Sequence, residues 1–434
     1  MNPLFFSFFI LVVFSVLYYS LFKHFWSPSL LVLIWWVLWF SVAVSCDIGF
    51  PKPSNALFFS FYAFALFFAL GSLLPASLHF ILPVPNNDCL LAFNNTLVRA
   101  WSLVSIPVLF YFWRKASRVL SEDSFMGGRG ALINFEGSTH PVFGSSFIRN
   151  IVEVFIAGPL LYFSLFSFVY LLRGNRVLLS LVTCLGILLY QGTELGRSQI
   201  YRTALLLSVV FFFLWIYRKF VLSTRKLFLG LFVFLLIFYY IFSATMNRFK
   251  NNPNASWTDV TTELQSYHTV GFILYDLALN DPNSPLNTEL GYGRASFSGL
   301  WFPVTQLIRM FDKTYTSFLD KWYPYTAISH DLGVKAESGK EFYFNAYYTM
   351  LFPYYLDFRL PGVCLFSLVL GFLISSSFLN WIKTGLDWWF ALSLLFFAFS
   401  IMNIFQPLTQ RVYFFSAAFL LFICLNIFST TRKG

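Results

Sequence analysis

Arginine residues beside apolar runs have the clearest chemical potential in this sequence. Arg197 and Arg202 lie at the start of one such run, in GTELGRSQIYRTAL. A guanidinium group binds phosphate oxygens through two parallel hydrogen bonds, so two of them near a bilayer suit a pyrophosphate. The alternative is that both side chains simply extend from the membrane to water.

A long polar segment, 244–345, supplies a second set of candidates. It contains further arginines and two histidines, whose ordinary pKa near 6.5 suits a general base. The residues singled out here are Arg248, Arg294, Arg309, His268, His330, Asp331 and Glu341. Each of them is also compatible with a packing or surface role, and Arg294 ends a turn-like GYGR.

The sequence lacks the motifs of several common activities. GxxxxGK[ST] and GxGxxG do not occur in a strand–turn–helix context, and HExxH and GxSxG are absent. The five cysteines do not have metal-ligand spacing, and no carboxylate cluster does. We therefore expect no metal and no cofactor, and we do not expect ATP-driven chemistry.

Composition identifies the elements that must position these residues. Hydrophobic residues make up 58% of the 434-residue chain and charged residues 11%, whereas a soluble domain has about a quarter charged residues. Apolar runs of about 17–25 residues span a bilayer as helices. We predict an all-α polytopic membrane protein with about 11 transmembrane helices, near 4–22, 29–45, 56–74, 97–113, 150–172, 177–192, 201–217, 227–243, 360–379, 388–405 and 411–428.

Basic residues in short loops predict the orientation. Loops 173–176 and 218–226 and the C-terminal tail carry them, which places that side in the cytoplasm. The same rule explains the excess of 29 basic over 19 acidic residues without a nucleic acid partner. The chain then divides into N-terminal transmembrane helices (1–243), a large external, periplasmic loop (244–359) and C-terminal transmembrane helices (360–434).

Two stretches of the loop have the composition of short helices at the membrane surface. These are 295–311 (ASFSGLWFPVTQLIRMF) and 342–356 (FYFNAYYTMLFPYYL), both with interleaved aromatic and apolar residues. The second is also compatible with a re-entrant segment. A large external element beside a helical bundle indicates work at the outer leaflet.

Several segments resemble Wzy-type polymerases of bacterial oligosaccharide repeat units. The quoted segments are FWSPSLLVLIWWVLW, SNALFFSFYAFALFFALGSLL, YRTALLLSVV and the late FNAYYTMLFPYYLDFRLPGVCLFSLVLGF. The last resembles a pattern Asn…Thr…Tyr-x-Asp-Phe-Gly-x-x-Gly. This chain departs from it at Arg359, where glycine is usual, and Tyr201 stands where glycine or serine usually precedes the arginine.

The resemblance implies a fold and an activity. The fold would be a GT-C-like bundle in the bacterial inner membrane. The substrates would be undecaprenyl-pyrophosphate-linked oligosaccharides, for O-antigen or capsule, at the outer leaflet. The enzyme would transfer the growing glycan chain onto an incoming unit without a metal. A chain-length co-polymerase is an implied partner besides membrane lipid.

The resemblance also suggests roles for individual residues. Arginines would contact the pyrophosphate, a histidine or Glu341 would act as the base, and aromatic rings would stack on sugars. The assignments are Arg202, Arg197, Arg294 and Arg309 for pyrophosphate; His268, His330 and Glu341 for the base; Tyr292, Trp301 and Tyr347 for sugar; and Asn345 and Asp357 for holding the loop against the bundle.

Two other classes remain open. An O-antigen ligase shares the bundle and the lipid-linked donor but uses lipid A–core as acceptor. A lipid-linked oligosaccharide flippase, or another transporter, would usually carry more charge inside its spans. The pattern at 344–362 favours a polymerase over a ligase.

Overall fold

The computed structural model describes residues 3–24, 26–45, 49–76, 87–122, 142–172, 177–194, 198–217, 257–327, 330–335, 341–344, 348–404 and 411–429. In chain order, the helices are α1 (Pro3–Phe22), α2 (Pro28–Ser45), α3 (Asn55–Leu73), α4 (Asn87–Glu122), α5 (Ser146–Val152), α6 (Gly158–Leu172), α7 (Val177–Glu194), α8 (Ser198–Ile216), α9 (Trp257–Asn280), α10 (Pro285–Thr288), α11 (Ser298–Phe311), α12 (Leu319–Ala327), α13 (Leu351–Thr384), α14 (Asp387–Met402) and α15 (Val412–Ser429). A 3₁₀ turn (Leu74–Ala76) follows α3, and a π-helical turn (Glu153–Ala157) joins α5 to α6.

Six of these helices are long and apolar enough to cross a membrane, so the chain is a multi-pass membrane protein. They are Leu4–Phe22, Pro28–Ser45, Asn55–Leu73, Asn87–Arg118, Phe147–Ser167 and Leu351–Thr384. Shorter apolar helices occupy four more of the predicted span positions: Leu179–Thr193, Thr203–Ile216, Asp387–Met402 and Val412–Cys424. The predicted span 227–243 lies outside the described residues.

The chain forms two compact units that interleave early and late segments. The first comprises Met1–Ile81, Phe242–Gly385 and Leu395–Gln410, and the second comprises Leu82–Ile241, Leu386–Leu394 and Arg411–Gly434. Sequence order alone, which suggested three consecutive parts, does not show this interleaving. The polar segment predicted as a loop belongs to the first unit.

Helix α9, which belongs to the polar segment predicted as a loop, packs against α2 and α3. Phe272 makes edge contacts with Trp36 (ring centroids 5.6 Å apart) and Phe40 (5.5 Å). Tyr275 donates a hydrogen bond to Ser60 over 3.1 Å. The interior of the first unit therefore contains part of the predicted loop.

An acidic side chain of α9 fixes the start of α3. The Asp276 carboxylate accepts hydrogen bonds from the Ser54 backbone N–H, at 2.8 Å, and from the Ser54 hydroxyl. Ser54 is the N-cap of α3, where a negative charge interacts favourably with the unpaired N–H groups of the first turn.

Helices α3 and α13 cross at very close range. A Cβ on Gly71 would lie 2.0 Å from the carbonyl oxygen of Leu368, so this position accepts no side chain without separating the two backbones. Small residues allow such close packing between apolar helices, which have little hydrophobic driving force in lipid.

A π-helical turn organises the second unit. The Ser416 hydroxyl donates to the Val154 carbonyl over 2.6 Å, and so pairs a backbone group within that turn. Glu153, which is buried, forms ion pairs with Arg149 (3.4 Å) and Arg411 (3.9 Å). These two ion pairs give the buried carboxylate of Glu153 its cationic partners.

The polar segment contains a β-hairpin where an all-α fold was predicted. Strands β1 (His330–Lys335) and β2 (Glu341–Phe344) pair antiparallel. The predicted surface helix at 342–356 is correct only in its last part. Its first residues belong to β2, whereas Leu351 begins α13, which a break at Phe358 and Arg359 interrupts. The other stretch, 295–311, contains the predicted helix as α11 (Ser298–Phe311), and its location at the membrane surface stays a prediction.

Candidate functional site

Two sequence motifs that lie about 60 residues apart meet in the first unit. The GYGR loop pairs with the start of α13 through two backbone bonds, Gly291 N–H to Leu356 O (2.9 Å) and Tyr292 N–H to Asp357 O (3.3 Å). We call residues 291–296 and 356–359 the clamp. A Cβ on Gly291 would lie 2.1 Å from Asp357 Oδ1, so glycine is required for this approach.

Asp357 holds the clamp together from inside. Its carboxylate is fully buried and accepts backbone hydrogen bonds from Ala295 (3.0 Å) and Ser296 (2.7 Å). Each oxygen thus has a partner, as a buried carboxylate requires. These bonds fit the loop-holding role that the sequence analysis gave to Asp357.

Backbone strain is concentrated at the clamp. Among the described residues, three non-glycine residues have positive φ, and two of them, Tyr292 (+51°) and Arg359 (+58°), belong to the clamp. The break at Phe358 and Arg359 interrupts α13. Such conformations cost about 1–3 kcal/mol each and tend to cluster at functional sites.

Arg294 extends from the clamp into a cleft. Its Nε donates to the Gly291 carbonyl over 2.9 Å, and its guanidinium carbon lies 4.6 Å from the centre of the Phe318 ring. The cleft is open to solvent and has a volume of about 400 Å³. It is lined by Glu289, Arg294, Thr316, Ser317, Phe318 and Asp320.

Arg309 reaches the same cleft wall from the last turn of α11. Its Nε donates to the Tyr315 carbonyl over 3.2 Å, and its Nη2 pairs with the Asp320 carboxylate. Asp320 also accepts from the Ser317 backbone N–H at 2.6 Å. Two arginines predicted to bind pyrophosphate therefore converge on residues 312–320.

Asp320 is held in its charged form. Partial burial alone would raise its pKa, but the hydrogen bonds from Arg309 and from the Ser317 backbone outweigh burial and lower the pKa below its ordinary value. The carboxylate thus fixes the position of Arg309 near neutral pH.

Helix α11 exposes one apolar face. The side chains on this face recur at helical spacing and are between 37% and 90% exposed: Leu300, Trp301, Val304, Leu307, Ile308 and Phe311. Thr305, on the other side of the helix, is buried. An apolar face of this kind is typical of helices that lie in the membrane interface. Because Trp301 belongs to the apolar face, its position favours lipid over sugar as its partner.

The two candidate histidines occupy different environments. The His268 ring is buried in α9, stacks on Trp39 with centroids 4.2 Å apart and contacts Trp35 edge-on. His330 starts β1, is partly exposed, and its buried Nε2 makes no hydrogen bond to a described residue. Burial lowers the pKa of His330, so its ring is neutral near pH 7. Neither histidine lines the cleft.

Several predicted site residues are not fully described. Arg197, Asn345 and Tyr347 lie outside the described residues. Arg202 is in helix α8 and Glu341 begins strand β2, but their side chains lie outside the described part of the chain. Their assignments stay predictions.

Sequence reasoning assigned no role to two residues of this region. Asp320 pairs with Arg309 across eleven positions, and no local pattern signals that pairing. Arg359 was noted only as a departure from a glycine pattern, and its positive φ gives the physical reason why glycine suits that position. An arginine in place of the usual glycine was therefore the sequence signal that could have identified Arg359.

Comparison with known protein families, curated proteins and solved structures finds no match to this chain. Within the described ranges, no group of three or more His, Cys, Asp or Glu residues is placed to hold a metal ion. The features that bear on function are therefore the membrane helices, the cleft and the amphipathic helix beside it.

Proposed function

We propose that the protein polymerises undecaprenyl-pyrophosphate-linked oligosaccharide repeat units at the outer leaflet of the bacterial inner membrane. The observation that carries the proposal is the convergence of Arg294 and Arg309 on residues 312–320, beside the exposed apolar face of α11. An amphipathic helix at the interface sets nearby cations at the depth of a lipid head group.

The proposed substrates fit this chemistry. The donor is an activated glycan on a pyrophosphate, which is a good leaving group. A hydroxyl oxygen of the incoming unit forms a bond to the anomeric carbon as the bond from that carbon to the pyrophosphate oxygen breaks. The hydroxyl proton passes to a base, and the negative charge stays on the departing lipid pyrophosphate. Preorganised guanidinium groups stabilise such developing charge.

Of the two candidate histidines, His330 is the more accessible, because its ring is partly exposed and neutral near pH 7. It does not line the cleft, so its role as the base stays a prediction. His268 is buried against two tryptophan rings, which restricts access by a sugar hydroxyl. Glu341 and Arg202 keep their roles as an alternative base and a pyrophosphate ligand.

A reconstitution experiment tests the proposal. The full chain is placed in proteoliposomes with a purified undecaprenyl-pyrophosphate repeat unit, and products are separated by length. A ladder of repeat units is the expected result, and it should weaken by about 100-fold or more in Arg294→Lys, which keeps the charge but loses the fork. A wild-type protein that makes no ladder from several repeat units would contradict the proposal.

A deletion strain separates the alternatives. Loss of a polymerase leaves lipid A–core carrying one repeat unit, whereas loss of a ligase leaves core with none. Loss of a flippase leaves lipid-linked units on the cytoplasmic side. We expect the first phenotype, and restoration of long chains by the intact gene.

A further inference from the structure

Arg359 combines backbone strain with a buried guanidinium nitrogen that has no hydrogen-bond partner among the described residues. Its φ of +58° and ψ of −148° lie in a region of φ/ψ space that glycine adopts without strain and arginine does not. Glycine at this position would relieve the backbone strain. The fold therefore carries a cost to keep a guanidinium group here.

The guanidinium group of Arg359 is incompletely satisfied. Its Nη1 is buried and has no hydrogen-bond partner, and the side chain forms no ion pair with a described residue. Its only aromatic neighbour among the described rings is Tyr355, whose centre lies 5.8 Å from the guanidinium carbon. A buried donor on a cation without a partner is expensive, which indicates that a ligand completes the site.

The chemistry of this group favours an anion. The Asp357 carboxylate, two residues before Arg359, already accepts bonds from two backbone N–H groups. Arg294 faces Phe318 in the cleft, beside Glu289 and Asp320. The buried Nη1 of Arg359 is therefore left for a ligand, and guanidinium forks match phosphate oxygens.

We propose that Arg359 is a binding residue for a phosphate group of a lipid head group, at the break in α13. The identity of that lipid as the pyrophosphate carrier rests on the proposed function, whereas the phosphate site itself rests on the geometry of Arg359. Bulk anionic phospholipid offers the same chemistry, so the test must include both lipids.

The experiment compares three variants of the full chain in phosphatidylcholine nanodiscs. Arg359→Gly removes the cation and relieves the strain, and Arg359→Lys keeps the charge without the fork. The control is Lys23→Gly, because Lys23 also has positive φ (+59°) and carries a positive charge, but ends α1. Binding of undecaprenyl pyrophosphate and of phosphatidylglycerol is measured by native mass spectrometry, and Tm by differential scanning fluorimetry.

We expect Arg359→Gly to weaken carrier binding by about 10–100-fold, the range for loss of hydrogen bonds to a charged group. Its Tm should not fall, and relief of strain should raise it by about 2 °C or more. Arg359→Lys should bind with intermediate strength. Lys23→Gly should change Tm by an amount similar to that of Arg359→Gly and should leave the binding of both lipids unchanged.

The outcomes are distinguishable. Weaker binding of the carrier supports the proposal, and an equal loss for phosphatidylglycerol supports a phosphate site that serves bulk phospholipid. Unchanged binding of both lipids in Arg359→Gly would overturn the proposal. If the wild type makes no polymer but its carrier binding still depends on Arg359, the proposed function fails while the phosphate site stands.

Discussion

At the residue scale, the ion pair of Arg309 and Asp320 admits two explanations. It can hold α11 against residues 312–320, or it can keep Arg309 in position for a phosphate group. Both side chains are about one-third exposed, so solvent screens the pair and its contribution to stability is about 0–1 kcal/mol. Stability alone is therefore a weak reason for this pairing.

Asp320→Asn tests these explanations. The change removes the carboxylate that fixes Arg309, so a positioning role predicts weaker binding of undecaprenyl pyrophosphate, although by less than the loss of Arg309 itself. Tm should fall by at most about 2–4 °C. Arg309→Ala should show the same small change in Tm together with weaker binding, measured in the same nanodiscs. Binding equal to that of the wild type in both variants would indicate that the ion pair has a purely structural role.

His330 makes a separate prediction about pH. Since burial lowers its pKa in the folded chain, the unfolded chain binds the proton more readily below pH about 6.5. The stabilising contribution of His330 is therefore fully present above that pH and is lost as pH falls toward the lowered pKa. Tm should decline from pH 6.5 to pH 5, and His330→Gln should decline less. An identical pH profile for both proteins would contradict this assignment.

At the element scale, the apolar face of α11 defines how the cleft meets the membrane. Phe311 is 90% exposed and Lys313, two residues later, is also exposed. If α11 lies in the interface, the two side chains occupy different media despite being close in sequence. Phe311 and Lys313 are therefore a matched pair of positions at which exposure to lipid and to water can be compared.

Spin labels at Phe311→Cys and Lys313→Cys provide that measurement. The label at 311 should collide more often with oxygen, which concentrates in lipid, and the label at 313 with a water-soluble nickel chelate. Native cysteines must first be replaced, because Cys89 and Cys184 are exposed among the described residues. Equal accessibility to nickel at both positions would place α11 in water.

At the scale of the whole molecule, sequence patterns identify the helices better than they identify the contacts between them. Apolar runs predicted α1, α2 and α3 to within a few residues, and helical spacing of apolar residues predicted α11. Helix α9 was not predicted, because its polar composition is typical of a loop. Its polar side chains form hydrogen bonds with neighbours such as Ser54 and Ser60. Tertiary partners therefore overrode the local signal.

The candidate site shows the same limit. GYGR and the residues around Asp357 were each recognised as unusual, but nothing local shows that Asp357 accepts hydrogen bonds from Ala295 and Ser296. The hairpin was missed because strands of six and four residues are too short to show a clear periodicity. Residue types thus indicated the chemistry, whereas the fold determined which residues act together.

The orientation of the whole chain decides whether this cleft can meet an outer-leaflet substrate. Basic residues in loop 218–226 predict a cytoplasmic position for that loop, which places residues 312–320 on the opposite side. In a cysteine-free parent, Lys313→Cys should react with an impermeant thiol reagent in spheroplasts. Ser223→Cys should react only after lysis, and lysis should not increase labelling at 313. The reverse pattern would put Arg294 and Arg309 on the cytoplasmic side, where a lipid-linked unit is assembled but not polymerised, and would therefore favour a transporter over a polymerase.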